Sequence, residues 1–367
     1  MFAGLFLYLS AITPFSLYNQ YNLLMVTIKL FFFIIFFFIS RKKILLKYFI
    51  ISIVVIILGL AATIISLYEF SYSRFFLYSI ILIFFSFRLE YLQSIFFFKR
   101  LYIISVFILC IVSFLNPEII NFFYGWNSIT QQTVFLENKK YVSIFGLPAT
   151  ASLCYGLIIF LLLNNQNLFK KEISIILALF FIFLLISLWA TSTFITIFFL
   201  LIYFLIPYFK REKLLIVSYS KILFIFFFFT IYFLYNDFFL ELANSFYNRY
   251  EQTVTPSFMN RFSEQYLFYG LNISYIFFGL GFTGAPSVNF GDIGYFDNII
   301  RLGFFGAILY YSLFYSFLKR LLPNKNYFIL ILYLFILELG HTYSKSIVFL
   351  PIILIILSNP INKFIEK

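Results

Sequence analysis

Long uninterrupted runs of apolar residues, recurring about a dozen times along 367 residues, constrain this chain more than any other feature. They fall at roughly 2–18, 23–40, 48–67, 74–89, 100–116, 145–163, 173–190, 193–209, 221–236, 296–318, 326–341 and 345–359. Crossing the hydrocarbon core of a bilayer takes roughly 20 residues at helical rise. Lipid offers a backbone no outside hydrogen-bond partners, so each run predicts a helix that satisfies itself. The stretch from Ile173 to Phe209 is about twice the length one span needs. The polar string Thr191-Ser192-Thr193 in its middle predicts a tight turn between two helices. Charged residues are only 11% and hydrophobic residues 63% of the chain, against about 25% charge in an ordinary soluble domain. So few charges cannot cover a water-soluble core of this size. The expected fold class is an all-α polytopic integral membrane protein, one transmembrane domain over 1–367 with about 12 transmembrane helices.

The basic residues give these helices an orientation. Arg41, Lys42, Lys43 and Lys47 lie between the second and third runs, and Arg88, Lys99 and Arg100 between the fourth and fifth. Lys170 and Lys171 separate the sixth from the seventh. Lys210, Arg211, Lys213 and Lys221 follow the eighth, and Lys319, Arg320 and Lys325 the tenth. Every cluster falls in an even-to-odd connection, as one consistent orientation requires, so those connections and both termini are expected in the cytoplasm. The net charge of +12 is therefore a topology signal, and with no basic domain the chain is not expected to bind nucleic acid. Its surrounding partner is the lipid bilayer. The run from Met1 to about Tyr18 has no basic segment before it and no small-residue cleavage site, which reads as a retained first span. Cys110 and Cys154 lie inside apolar runs, where they read as small hydrophobes, and neither has a partner at metal-ligand spacing.

Two substantial loops fall on the other side, a smaller one at 117–145 and a large one at 236–295. Loops that long in a compact domain usually have a function. The large loop holds five acids (Asp237, Glu241, Glu251, Glu264, Asp292) and two bases, Arg249 and Arg261. These arginines are not topology signals. They either pair with Glu251 and Glu264 on a solvated face or capture a diphosphate, to which guanidinium offers a planar fork of donors. The segment 262–278 is amphipathic enough to lie along the membrane surface as a helix.

Further candidates follow. Gly279-Leu280-Gly281-Phe282-Thr283-Gly284 has the spacing of a dinucleotide fingerprint, yet Ala285-Pro286 follows where a helix is needed. These glycines read as a close turn beside the membrane or a ligand. Asp297 and Asn298 open the tenth run and are good helix caps. Arg301, one turn further in, would place a charge inside the membrane edge, where charges are costly and often functional. His341, the only histidine, starts the external turn His341-Thr342-Tyr343-Ser344-Lys345. It reads either as an interfacial residue or as a proton acceptor, with Lys345 beside an anionic leaving group. Glu338 reads as a buried structural or pathway acid, and Glu69 and Arg74 as a local pair with no assigned role.

The order of these parts resembles the O-antigen polymerase and ligase superfamily of bacterial envelope glycosyltransferases. The paired hairpin with Trp189-Ala190-Thr191-Ser192-Thr193 comes first. The large loop with Asn248-Arg249-Tyr250 and Asn260-Arg261-Phe262 follows. Phe278-Gly279-Leu280-Gly281-Phe282 then leads into Asp297-Asn298 and Arg301-Leu302-Gly303-Phe304-Phe305-Gly306. The similarity spans roughly 173–350, and the large loop has no histidine, which favours the polymerase branch. The resemblance implies a multi-pass enzyme of the bacterial inner membrane. It would move a glycan from one undecaprenyl diphosphate carrier to a second carrier-linked repeat unit on the periplasmic side. Arg249, Arg261, Arg301 and Lys345 would hold the diphosphate, and His341 or Asp297 would take the acceptor's proton. It implies no cofactor and no metal, undecaprenyl diphosphate-linked oligosaccharide as substrate, and a separate chain-length regulator as partner. The rivals are an O-antigen ligase and a flippase of lipid-linked oligosaccharides; a flippase is expected to have short external loops, symmetric halves and charged residues within its spans.

Overall fold

The computed structural model describes residues 2–13, 22–40, 42–66, 68–89, 95–115, 144–145, 148–164, 168–188, 191–209, 274–283, 294–321, 328–338 and 349–357. These residues are predominantly helical: α1 (Phe2–Ile12), α2 (Asn22–Ile39), α3 (Leu46–Ser66), α4 (Tyr72–Phe85), α5 (Ile95–Leu115), α6 (Pro148–Asn164), α7 (Lys171–Ser187), α8 (Thr191–Phe209), α9 (Ser274–Phe278), α10 (Gly294–Leu321), α11 (Phe328–Leu337) and α12 (Leu350–Leu357). Within α3, α5 and α10, the segments Leu46–Ser66, Phe96–Ser113 and Asp297–Leu321 are long and apolar enough to cross a membrane. The run at 221–236, most of both external loops, and Arg249, Arg261, His341 and Lys345 lie outside the described residues. Of the predicted surface helix over 262–278, only α9 falls within them.

Lipid as solvent is written into α3. Its inward face carries Ser52, Gly59, Ala62, Thr63 and Ser66, whereas Ile50, Ile53, Ile57, Ile64 and Ile65 point outward. In water such an apolar face would be an aggregation surface. Among lipid tails the large residues face outward at no cost, and small residues let neighbouring backbones approach. Ser52 illustrates the gain, since its hydroxyl donates to Leu82 O of α4 at 2.7 Å.

Helices α3, α4, α9 and α10 pack as one group, and α1, α2, α5, α6, α7, α8, α11 and α12 as another. Phenylalanine joins the two. Phe84 of α4 packs on Phe33 and Phe37 of α2 and on Phe317 of α10, while Phe314 of α10 meets Phe335 of α11. Cys110 and Cys154 are fully buried as free thiols within this core.

Four local expectations are corrected. The described residues are not purely helical: β1 (Lys42–Ile44) pairs antiparallel with β2 (Phe87–Leu89), with Lys43 opposite Arg88. Two short connections at one end of the bundle lie close enough to trade backbone hydrogen bonds, which no periodicity along the chain can reveal. The string Thr191-Ser192-Thr193 is not the turn but the first turn of α8, where Thr193 is buried against Ser152 of α6. Helix α10 begins at Gly294, so Asp297 lies in its first turn and Asn298 faces inward, neither of them at a cap position. Glu69 and Arg74 do not pair, because Arg74 turns toward a backbone carbonyl more than two hundred residues away.

Candidate functional site

The site begins with a break in α10. Gly303 sits at φ 71° and ψ 168°, outside helical geometry, and divides the helix directly after Arg301 and Leu302. A break at membrane depth leaves carbonyls in need of donors, and such backbone persists only where protein lines it. Here the glycine-rich segment 279–283 supplies the donors. Leu280 N–H donates to Ile300 O at 2.6 Å, and Gly281 N–H to Arg301 O at 2.8 Å. Gly281 adopts a positive φ of 66°, and a Cβ there would collide with Thr63 and with the backbone of α3. Only glycine allows this approach.

The same segment is anchored on its far side. Phe282 N–H donates to Thr63 Oγ1 at 2.8 Å, Ser66 Oγ to Leu280 O at 3.2 Å, and Ser71 N–H to Phe282 O at 2.8 Å. Thr283 forms an antiparallel bridge with Phe70. The Phe282 ring is fully buried, resting over Gly59 and against Phe75 and Tyr78. The segment is thus a backbone wedge held between α3 and the broken α10.

At its end two guanidinium groups converge. Arg301 of α10 donates from Nη1 to Thr283 O at 3.2 Å, and Arg74 of α4 donates from its own Nη1 to the same oxygen. Arg301 is only 4% exposed, and its Nε lies 3.7 Å from Asp297 Oδ1 one turn back along the helix. The buried Thr283 hydroxyl has no hydrogen-bond partner among the described residues. Two cations aimed at one neutral carbonyl repel each other, and among the described residues one carboxylate, that of Asp297, lies beside Arg301. An anion placed between them would be stabilised strongly, because charge-assisted bonds from guanidinium are about twice as strong as neutral ones.

A hydrogen-bonded chain runs inward beside the arginines. Tyr78 OH donates to Asn298 Oδ1 at 2.8 Å, and Asn298 Nδ2 donates to Tyr311 OH at 2.7 Å. Tyr311 OH donates to Glu338 Oε1 at 3.2 Å, and Tyr295 OH to Phe335 O at 2.6 Å. This chain ties α4, α10 and α11 together around Asn298, which is fully buried. Glu338 is 1% exposed, a buried acid whose carboxylate accepts from Tyr311.

Of the residues singled out from sequence, Asp297 and Arg301 stand together here. Arg74, Thr283, Tyr78 and Tyr311 were missed as members of the site. Arg74 carried a usable signal: like Arg249 and Arg261, it is a base in a connection where topology asks for none. Compared with known proteins, the chain matches no family model, no curated protein and no solved structure.

Proposed function

We propose that this chain is a membrane glycosyltransferase of the O-antigen polymerase type, acting on undecaprenyl diphosphate-linked oligosaccharide at the outer face of a bacterial inner membrane. The observation that carries the reading is the convergence of Arg74 and Arg301 on one buried oxygen beside a helix break. Such a donor set suits a leaving diphosphate, whose negative charge grows as the glycosyl bond breaks. In this reaction the acceptor sugar's hydroxyl oxygen bonds to C1 of the donor glycan. The bond from C1 to the phosphate oxygen breaks, and undecaprenyl diphosphate leaves with the electron pair. The hydroxyl proton passes to a carboxylate, for which Asp297 is adjacent to the arginine pair. Arg249, Arg261, His341 and Lys345 remain proposed partners of that site.

The orientation belongs to the same proposal: about 12 spans, with both termini in the cytoplasm. It is supported by which connections touch. The basic strands β1 and β2 meet at one end, whereas Phe70 and Ser71 meet the 279–283 segment at the other.

A second reading, a flippase of lipid-linked oligosaccharide, is favoured by charges buried within helices, namely Lys29, Lys99 and Arg301, and by the buried Glu338 just past the end of α11. Deleting the gene and resolving the surface polysaccharide on a gel separates the two. A single repeat unit on the lipid core, with the ladder gone, is expected for a polymerase. Complete loss of attached sugar points to a flippase or ligase, and an unchanged ladder overturns the glycosyltransferase reading.

A further inference from the structure

The ribbon formed by β1 and β2 carries charge that its fold does not use. Strand β1 follows α2 and β2 follows α4, and Leu45 N–H donates to Ser86 O at 3.1 Å to extend their pairing. Residues opposite each other in an antiparallel pair share a face, and successive residues alternate between faces. One face therefore carries Ile44 and Phe87, and the other Lys43 and Arg88. Phe87 is buried, its ring 5.1 Å from that of Phe37 in α2, so its face lies toward the helices. Lys43 and Arg88 are exposed on the face turned away.

Like charges directly opposite each other weaken a strand pair. The positive-inside preference asks for cations in a connection, not for two side by side. Further cations surround them. Arg320 of α10 lies within electrostatic reach of Arg88, and its bond to Phe85 O fixes the end of α10 beside the approach to β2. The neighbouring Lys319 is exposed at that end, as is Lys47 in the first turn of α3. Lys319 offsets the negative end of its helix, and Arg320 is anchored on a carbonyl and the Tyr48 ring. A strand pair has only a small dipole to offset, so neither account covers Lys43 and Arg88. Among the described residues no carboxylate pairs with Arg88, Lys47 or Lys319. Beside these charges Ile44 and Leu46 are 59% and 69% exposed. Cations and large apolar side chains together complement the two parts of a phospholipid, its anionic head and its acyl chains.

We infer that the β1–β2 ribbon is a binding site for an anionic phospholipid of the cytoplasmic leaflet, whose phosphate bridges Lys43 and Arg88. The phosphate oxygens accept from both cations and relieve their repulsion, while Ile44 and Leu46 lie along the acyl chains. Arg320 stays an anchor, and its charge, with those of Lys47 and Lys319, adds to the attraction for the head. The inference rests on the cytoplasmic placing of this end and is independent of the glycosyltransferase reading.

The test uses the full-length protein purified in detergent, its melting temperature followed as phosphatidylglycerol or zwitterionic phosphatidylcholine is titrated in as mixed micelles. Phosphatidylglycerol should raise the melting temperature and phosphatidylcholine should not. Lys43→Gln should weaken the apparent affinity for phosphatidylglycerol about fivefold and Arg88→Glu about thirtyfold. Lys171→Gln, at another basic connection, should respond as wild type does. Arg88→Glu also places an ion pair where the like charges stood, so without added lipid it should melt no lower than wild type. A lower value makes Arg88 part of the scaffold and overturns the site. Equal responses to the two lipids, or a loss in Lys171→Gln as large as that in Lys43→Gln, overturns it as well. If inorganic phosphate at matched concentration reproduces the Arg88-dependent rise, the site takes free anions and the lipid assignment fails.

Discussion

The two ends of α10 solve one problem with the same residue type and reach different results. At its C-terminal end Arg320 donates to Phe85 O of α4 and lies with its guanidinium 4.2 Å from the centre of the Tyr48 ring. At the other end Arg301 shares Thr283 O with a second arginine. One guanidinium with one carbonyl and one aromatic face is an anchor at a single point, its Nη2 bonded and its Nε and Nη1 buried without a hydrogen-bond partner among the described residues. Two guanidiniums on one oxygen are an oversupply. Stability alone would not assemble like charges this way, and the difference sets a strut apart from the proposed diphosphate site within a single helix.

The largest expected effect breaks that comparison at the arginine pair. Arg301→Lys and Arg74→Lys should each cut polymer formation by about 100-fold, the cost of losing one oxyanion-type donor, with membrane levels unchanged. Arg320→Lys should leave polymer formation per folded molecule unaltered. Polysaccharide ladders quantified against immunoblotted protein check this, and equal losses at all three positions would erase the distinction.

Gly281→Val tests whether the wedge sets up the arginine pair. A β-branched residue at positive φ, facing Thr63, should destabilise the protein by about 3 kcal/mol or more, read as a lowered melting temperature in detergent with ladder loss following. A melting temperature within a degree of wild type would mean that the wedge does not need this backbone geometry.

Arg320→Leu sharpens the other half. It removes a carbonyl contact and a ring contact, an expected loss of about 1–2 kcal/mol by thermal melting. Tyr311→Phe should have the smallest effect, about 1 kcal/mol of stability, because Asn298 keeps its bond from Tyr78. If its ladder loss matches that of Arg301→Lys, the relay to Glu338 belongs to the chemistry and not to the scaffold.

Much of the helical framework was legible in the sequence. Eleven of the twelve apolar runs overlap a described helix, because helix formation in an apolar solvent depends on local composition. A close glycine turn near residue 279 was also readable, since left-handed backbone and tight approach are demands that one residue type meets. Asp297 and Arg301 could be paired from spacing alone, being one helical turn apart. The turn at Thr191 could not be placed, because a polar string within an apolar run fits a loop and a buried helical face equally well. Thr196 of the same helix is buried against the Tyr333 hydroxyl at 2.9 Å.

By itself, then, the sequence determined where most of the described residues are helical and which charges stand apart from the topology signal, whereas of its twelve expected spans three described helices are long and apolar enough to cross a membrane. Those properties follow from residues within a turn or two of one another. Only the tertiary structure decided that Arg74 and Arg301 meet on Thr283, that Gly303 breaks a helix to admit the wedge, and that Lys43 lies opposite Arg88. Each of those contacts joins segments whose separation along the chain says nothing about their distance in space. They are selected by packing small residues against small residues and by the need of every buried donor and acceptor for a partner.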